Sequence, residues 1–172
     1  MANDETGATQ LASASTAQSQ RLSILVAQGP NLNTLGNREP AIYGRVTLDE
    51  IGARLAERAT TLGCSLTTLQ SNHEGVLIDF LQAEAPTADG IIINPAGLTT
   101  TSVSLRDALS ATALPIIEVH LSNIYAREAF RHPSLLAPIC RGQISGLGWR
   151  GYLYALDALV ALLREWLAPV EV

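Results

Sequence analysis

The chain has 172 residues, 47% of them apolar, and a formal net charge of −5, and all 11 of its basic side chains are arginine. The missing lysine excludes chemistry that needs a primary amine on a long stem: a side-chain Schiff base, a P-loop of the G-x-x-x-x-G-K-[ST] type and a lysine-anchored pyridoxal cofactor. The acidic balance disfavours nucleic acid as a partner, since phosphate contacts need a basic face, and the length suits a single domain with its own core.

In chain order, residues 1–20 are rich in Ala, Ser, Thr and Gln and carry neither a basic start nor an apolar stretch, so they read as a disordered extension and not as a secretory signal. Residues 21–172 read as one catalytic domain in which short β-rich runs alternate with helical ones. The expected strands are Leu22–Gln28, Ser65–Gln70, Gly90–Asn94, Ile116–Leu121 and Gly142–Ser145. The expected helices are Thr47–Leu62, Val76–Glu84, Ser102–Ala111, a short one at Tyr125–Phe130, and Gly151–Leu167. Thr47-Leu48-Asp49-Glu50 has the form of a capping box, and Gly63 stands where a left-handed cap ends the helix. Runs such as Ile91-Ile92-Ile93 show no polar alternation and so belong to strands buried on both faces. Alternating with helices, they imply an α/β, flavodoxin-like three-layer sandwich with a five-stranded parallel sheet in the order 2-1-3-4-5. No apolar run reaches the ~20 residues that span a bilayer, so no membrane is expected and a cytoplasmic location is.

Ligands of open parallel sheets bind beyond the carboxyl ends of the strands. Four successive strand ends here bring asparagine to that rim: Asn31, Asn72, Asn94 and Asn123. Singly each reads as a turn or cap residue. Together they predict a neutral, hydrogen-bonding pocket for a hydroxylated ligand. The connection Thr34–Val46 is long enough to be a lid, and it carries Arg38 and Tyr43. A phenol titrates near ~10, and lowering that by three units takes ~4 kcal/mol of preferential stabilisation of the phenolate, which a close guanidinium supplies in large part. An exposed aromatic beside a surface arginine is the alternative.

Glu118 and His120 lie two apart on the fourth strand and so share a face at its end, where a carboxylate fixes the imidazole tautomer and suits it to general acid work. A purely structural pair closing the sheet end is the competing reading. Arg127 and Arg131, spaced i, i+4 on the short helix, can face the same side, where one suits a ligand carboxylate through its bidentate guanidinium and the other reads equally as a surface residue with Glu128 or Asp107 as partner. Asp107, beside Arg106, reads equally as a helix-end ion pair and as a site residue. Gly146-Leu147-Gly148-Trp149-Arg150-Gly151 matches G-x-G-x-x-G, but no further strand is expected to place an acid on a ribose, so close packing of the last helix is the better account. Cys64 and Cys140 lack C-x-x-C spacing, and His73, His120 and His132 form no compact ligand set, so free thiols and no metal site are expected. A nucleotide- or flavin-binding module is the rival class. It is disfavoured by the lack of a phosphate loop and by an aromatic content of 5%.

Six ordered segments closely resemble type II 3-dehydroquinate dehydratase: Gln28-Gly29-Pro30-Asn31-Leu32-Asn33, Leu35 through Gly44, Gln70-Ser71-Asn72-His73-Glu74-Gly75, Asn94-Pro95-Ala96-Gly97, Thr101 through Ala108, and Ile117 through Ile124. The resemblance implies elimination of water from 3-dehydroquinate to give 3-dehydroshikimate, in the shikimate pathway or quinate breakdown. It also implies the flavodoxin-like fold, no cofactor and a homododecamer built as a tetramer of trimers. By the same resemblance Tyr43 is the proton acceptor, Arg38 its stabiliser, and Asn31 the holder of a water on the enolate. His120 is the proton donor, oriented by Glu118. Asn94, Leu121, Ser122 and Arg131 match substrate-gripping positions, and Asp107 matches a residue that reaches a neighbouring subunit's site. One position departs. The family pattern resembles Thr-His-Thr-Ser where this chain reads Thr99-Thr100-Thr101-Ser102, so a neutral hydroxyl at Thr100 replaces an imidazole.

Overall fold

The computed structural model describes residues 21–37 and 44–168. Its centre is a parallel sheet of β1 (Ser23–Gln28), β2 (Ser65–Gln70), β3 (Gly90–Asn94), β4 (Ile116–His120) and β5 (Gly142–Ser145), in the order β2-β1-β3-β4-β5. This is the order expected of a flavodoxin-like fold. The strands β3 and β4 are buried at every position, β3 through its apolar run Ile91-Ile92-Ile93 and β4 despite carrying Glu118 and His120.

Helices α1 (Leu48–Leu62) and α5 (Arg150–Leu167) cover one face of the sheet, packing Ile51, Leu55, Tyr152, Leu156 and Leu159 on Ile24, Val26 and Ile92. The other face carries α2 (Glu74–Glu84) and α4 (Val103–Ala111), whose Leu77, Leu81, Leu105 and Leu109 meet Leu25, Ile91 and Ile93. The start of α1 follows the sequence reading in detail. The Thr47 hydroxyl accepts from Glu50 N, the Glu50 carboxylate accepts from Thr47 N at 2.8 Å, and Gly63 closes the helix at φ 65°.

One local expectation is corrected, and one turn is added. The helix expected over Ser102–Ala111 is formed as α4, and it is preceded by a one-turn α3 (Leu98–Thr101) that lies outside the expected range. Ser102 lies between them in extended conformation, and its hydroxyl accepts from Leu105 N at 2.8 Å as the cap of α4. The short helix expected over Tyr125–Phe130 is instead two 3₁₀ turns, Ile124–Ala126 and Ala129–Arg131, broken where Arg127 and Glu128 are extended. The cause is competition for backbone groups. Asn123 Oδ1 caps the first turn by accepting from Tyr125 N at 3.1 Å, but the Arg127 carbonyl, which a continuous α ladder would use, sits 3.0 Å from His132 Nε2.

Before α5, Gly146 takes a left-handed φ of 89° and a Cβ there would stand 3.0 Å from Asn123 Cβ, whereas a Cβ on Gly151, inside α5, would meet Ile144 Cγ2 and Val119 Cγ1 at an ordinary contact distance of 3.4 Å. Cys64 and Cys140 are free thiols. No helix among the described residues is long and apolar enough to cross a membrane.

Candidate active site

The carboxyl ends of β1, β3 and β4 surround a cavity of about 160 Å³. Its floor and walls include Asn31, Asn94, Thr99, Thr100, His120, Leu121 and Ser122, and Arg127 and Arg131 close one side. A wider depression of about 840 Å³ adjoins it, sharing Leu121, Ser122 and Arg127 and reaching Gly44, Val46 and Trp149. Arg38 and Tyr43 lie outside the described residues. The two stems of their loop flank the site: Leu35 borders the cavity, and Gly44 and Val46 border the depression.

The β1 end is shaped by a close approach. A Cβ on Gly29 would come within 2.5 Å of the Pro95 carbonyl oxygen, so glycine is needed where the loop after β1 crosses the loop after β3. The chain then turns through Asn31 at φ 68°, a left-handed conformation asparagine tolerates, and Asn31 N donates to Asn72 Oδ1 at 2.8 Å. The Asn31 carboxamide itself takes no partner among the described residues and borders the cavity.

Of the four strand-end asparagines, Asn31 and Asn94 therefore line the cavity. Asn72 buttresses Asn31 from behind, and Asn123 caps a 3₁₀ turn beside the wider depression. Asn94 is 2% exposed and held at both ends of its amide: Oδ1 accepts from Ala96 N at 3.2 Å, and Nδ2 donates to Tyr152 Oη at 3.0 Å. Tyr152 in turn donates to Gln28 Oε1 at 3.2 Å. Neither Tyr152 nor Gln28 was legible as a site residue, because a helix tyrosine at a core spacing reads as packing. Tyr152 is not itself a base, since complete burial pushes its phenol pKa well up.

On β4 the expected pair is formed. His120 Nε2 lies 2.7 Å from Glu118 Oε1, with Glu118 wholly buried and His120 at 6% exposure. A carboxylate only accepts, so Nε2 carries the proton and Nδ1, which has no partner among the described residues, is left to the cavity. Glu118 also accepts from Thr99 Oγ1 at 2.5 Å on Oε1 and from Ser134 Oγ at 2.9 Å on Oε2. Burial alone would push its pKa up. The hydrogen bonds from His120 and Thr99, the His120 charge and the Ser134 hydroxyl outweigh it, and the carboxyl is held below its ordinary value. Glu118 therefore stays ionised inside the protein.

Thr100 borders the cavity, but its hydroxyl donates to the Gly97 carbonyl at 3.1 Å, so towards a ligand it presents lone pairs and no hydrogen. Arg127 and Arg131 do border the same cavity, brought there by the two 3₁₀ turns and not by an α-helical face. Glu128 aligns Arg131, with its Oε2 2.8 Å from Arg131 Nε. The Ser122 hydroxyl is unpartnered among the described residues. Asp107 does not border the cavity. It is exposed on α4, with Arg106 as its ion-pair partner at 3.4 Å. Among the described residues there is no group of three or more His, Cys, Asp or Glu side chains placed to hold a metal ion.

Comparison with known proteins matches residues 22–160 to the family model described as dehydroquinase class II. A 3-dehydroquinate dehydratase from Roseiflexus castenholzii is 64% identical over 139 residues, covering 81% of this chain and 88% of that protein. A protein named 3-dehydroquinate dehydratase 1 from Ralstonia nicotianae is 60% identical over 142 residues, covering 81% and 90%. Among solved structures, a type II dehydroquinase from Butyrivibrio crossotus superposes with a TM-score of 0.79 at 43% identity, covering 81% of this chain and 97% of that one.

Proposed function

The chain belongs to the class II dehydroquinase family, and from that premise we propose which of its residues perform the family's reaction. The reaction is dehydration of 3-dehydroquinate to 3-dehydroshikimate, a step of the shikimate pathway. It requires a base for a weakly acidic proton alpha to a ketone, a stabiliser for the enolate, and an acid for the departing hydroxyl.

The acid is His120. The observation that carries this assignment is the 2.7 Å contact of Nε2 with a buried, ionised Glu118, which leaves Nδ1 facing the cavity, where it takes up the second ring proton and gives it to the departing hydroxyl. The base is Tyr43, acting as a tyrosinate whose negative charge Arg38 stabilises. The enolate is stabilised through a water held by Asn31, whose carboxamide has no other partner among the described residues. Asn94, the backbone at Leu121, and Ser122 receive the substrate hydroxyls, and Arg131, aligned by Glu128, forks the carboxylate. No amine is needed, and the chain has no lysine to supply one.

The working form is a cytoplasmic homododecamer, a tetramer of trimers. The position of Asp107 supports this: it stands exposed and away from its own cavity, as a residue serving a neighbouring subunit's site would. Exposed Val103 on the same helix is consistent with such a contact. The test of the function is ultraviolet absorbance on mixing the protein with 3-dehydroquinate, because the enone product absorbs and the substrate does not. A rise that persists after borohydride treatment in the presence of substrate is expected. No rise with intact substrate contradicts the assignment.

A further inference from the structure

We propose that Thr99 and Ser134 are positioning residues for the acid of this reaction, their two hydroxyls holding the Glu118 carboxylate on the His120 ring. The proposal rests on the reading of His120 as proton donor. A buried carboxylate in a sheet is costly unless its lone pairs are occupied. Here Oε1 receives His120 Nε2 at 2.7 Å and Thr99 Oγ1 at 2.5 Å, and Oε2 receives Ser134 Oγ at 2.9 Å. Each hydroxyl has one hydrogen. The Thr99 oxygen is nearer to Glu118 than to Ser134 Oγ, which stands 2.9 Å away, so both hydroxyl hydrogens are spent on the carboxylate.

Ser134 uses its lone pairs as well, accepting from Leu136 N at 3.1 Å and Ala137 N at 2.8 Å, while Leu135 N donates to the Thr99 carbonyl at 2.8 Å. One turn of chain is thereby tied both to α3 and to the carboxylate. Gln143 sits opposite Glu118 in register on β5, yet its buried amide nitrogen finds no partner among the described residues, so it does not share the task. The other titratable and charged groups facing the pair are Cys140, ahead of β5, and Arg127 and Arg131 across the cavity. Burial and the charge on Glu118 push the Cys140 thiol up to about 12, so it stays neutral and gives the carboxylate no charge to balance. Tyr152 belongs to the opposite face of the sheet, where complete burial keeps it neutral.

If the hydroxyls are removed, desolvation gains on hydrogen bonding and the carboxyl takes up a proton at higher pH, turning from a pure acceptor into a group that also donates. The test reads this without substrate. The infrared C=O band of protonated Glu118, identified by its absence from Glu118→Gln, is followed against pH in the full chain and in Thr99→Val, Ser134→Ala and Thr99→Ser. The band in Thr99→Val and in Ser134→Ala is expected to appear about one pH unit higher than in the parent, with Thr99→Ser behaving as the parent. The acid limb of the kcat profile is expected to move with it. A moved band with an unmoved kcat limb upholds the positioning role and instead removes His120 from the acid role. A band that titrates at the parent pH in both hydroxyl-free variants overturns the proposal.

Discussion

Tyr152 and Asn94 meet 3.0 Å apart beneath the cavity floor, joining the first turn of α5 to the end of β3 across 58 residues of chain. With Gln28, which lies opposite Asn94 in the sheet register, they form a buried polar chain in which each amide end has a defined partner. The cavity is thus held from both faces of the sheet: Asn94 by α5 on one side, Glu118 by α3 and the Ser134 turn on the other.

Tyr152→Phe removes the hydroxyl and strands both Gln28 Oε1 and Asn94 Nδ2. Loss of about 1–3 kcal/mol of unfolding free energy is expected, read by urea denaturation. The Michaelis constant rises as Asn94 loosens, while kcat stays within a few-fold. A collapse of kcat to background would instead make this phenol part of the chemistry.

Glu118 makes stability depend on acid. Its folded pKa lies below the unfolded reference of 4.5, so as pH falls the unfolded chain takes up a proton first. The stabilisation is complete above that reference value and disappears as pH drops through the lowered folded value. Unfolding free energies measured across this range are expected to fall more steeply for the parent than for Glu118→Gln. Parallel curves would contradict it.

Thr100→His is expected to tighten substrate binding. The Thr100 hydrogen is already spent on Gly97, so the parent lacks one donor to the ligand. Restoring a neutral hydrogen bond of about 1 kcal/mol lowers the Michaelis constant about fivefold. An unchanged constant would show that Thr100 already serves the substrate fully.

Arg131→Ala removes a charged donor aligned by Glu128. The Michaelis constant is expected to rise about 10- to 100-fold with a smaller change in kcat, and Arg131→Lys to restore little, since an ammonium cannot fork a carboxylate. Steady-state kinetics on the three forms decide it.

The sheet order was legible because buried apolar strands alternating with helices make a doubly wound parallel sheet, and the Glu118–His120 contact because strand periodicity puts residues two apart on one face. The α1 boundaries were legible because Thr47, Glu50 and Gly63 are local signals. Tyr152, Thr99 and Ser134 were not, because each acts across long separations in sequence through a group that a pattern reads as packing or loop. The Arg127–Arg131 spacing pointed to the right cavity through the wrong element: six residues make too weak a helix to keep the Arg127 carbonyl from His132.

The division of labour between Tyr43 and His120 is tested most directly by following deuterium exchange from solvent into the carbon alpha to the ketone of 3-dehydroquinate alongside enone formation, in Tyr43→Phe and His120→Asn. Tyr43→Phe is expected to lose both, while His120→Asn loses enone formation and still exchanges the alpha proton. Exchange that survives in Tyr43→Phe, or enone formation at the parent rate in His120→Asn, would contradict the account.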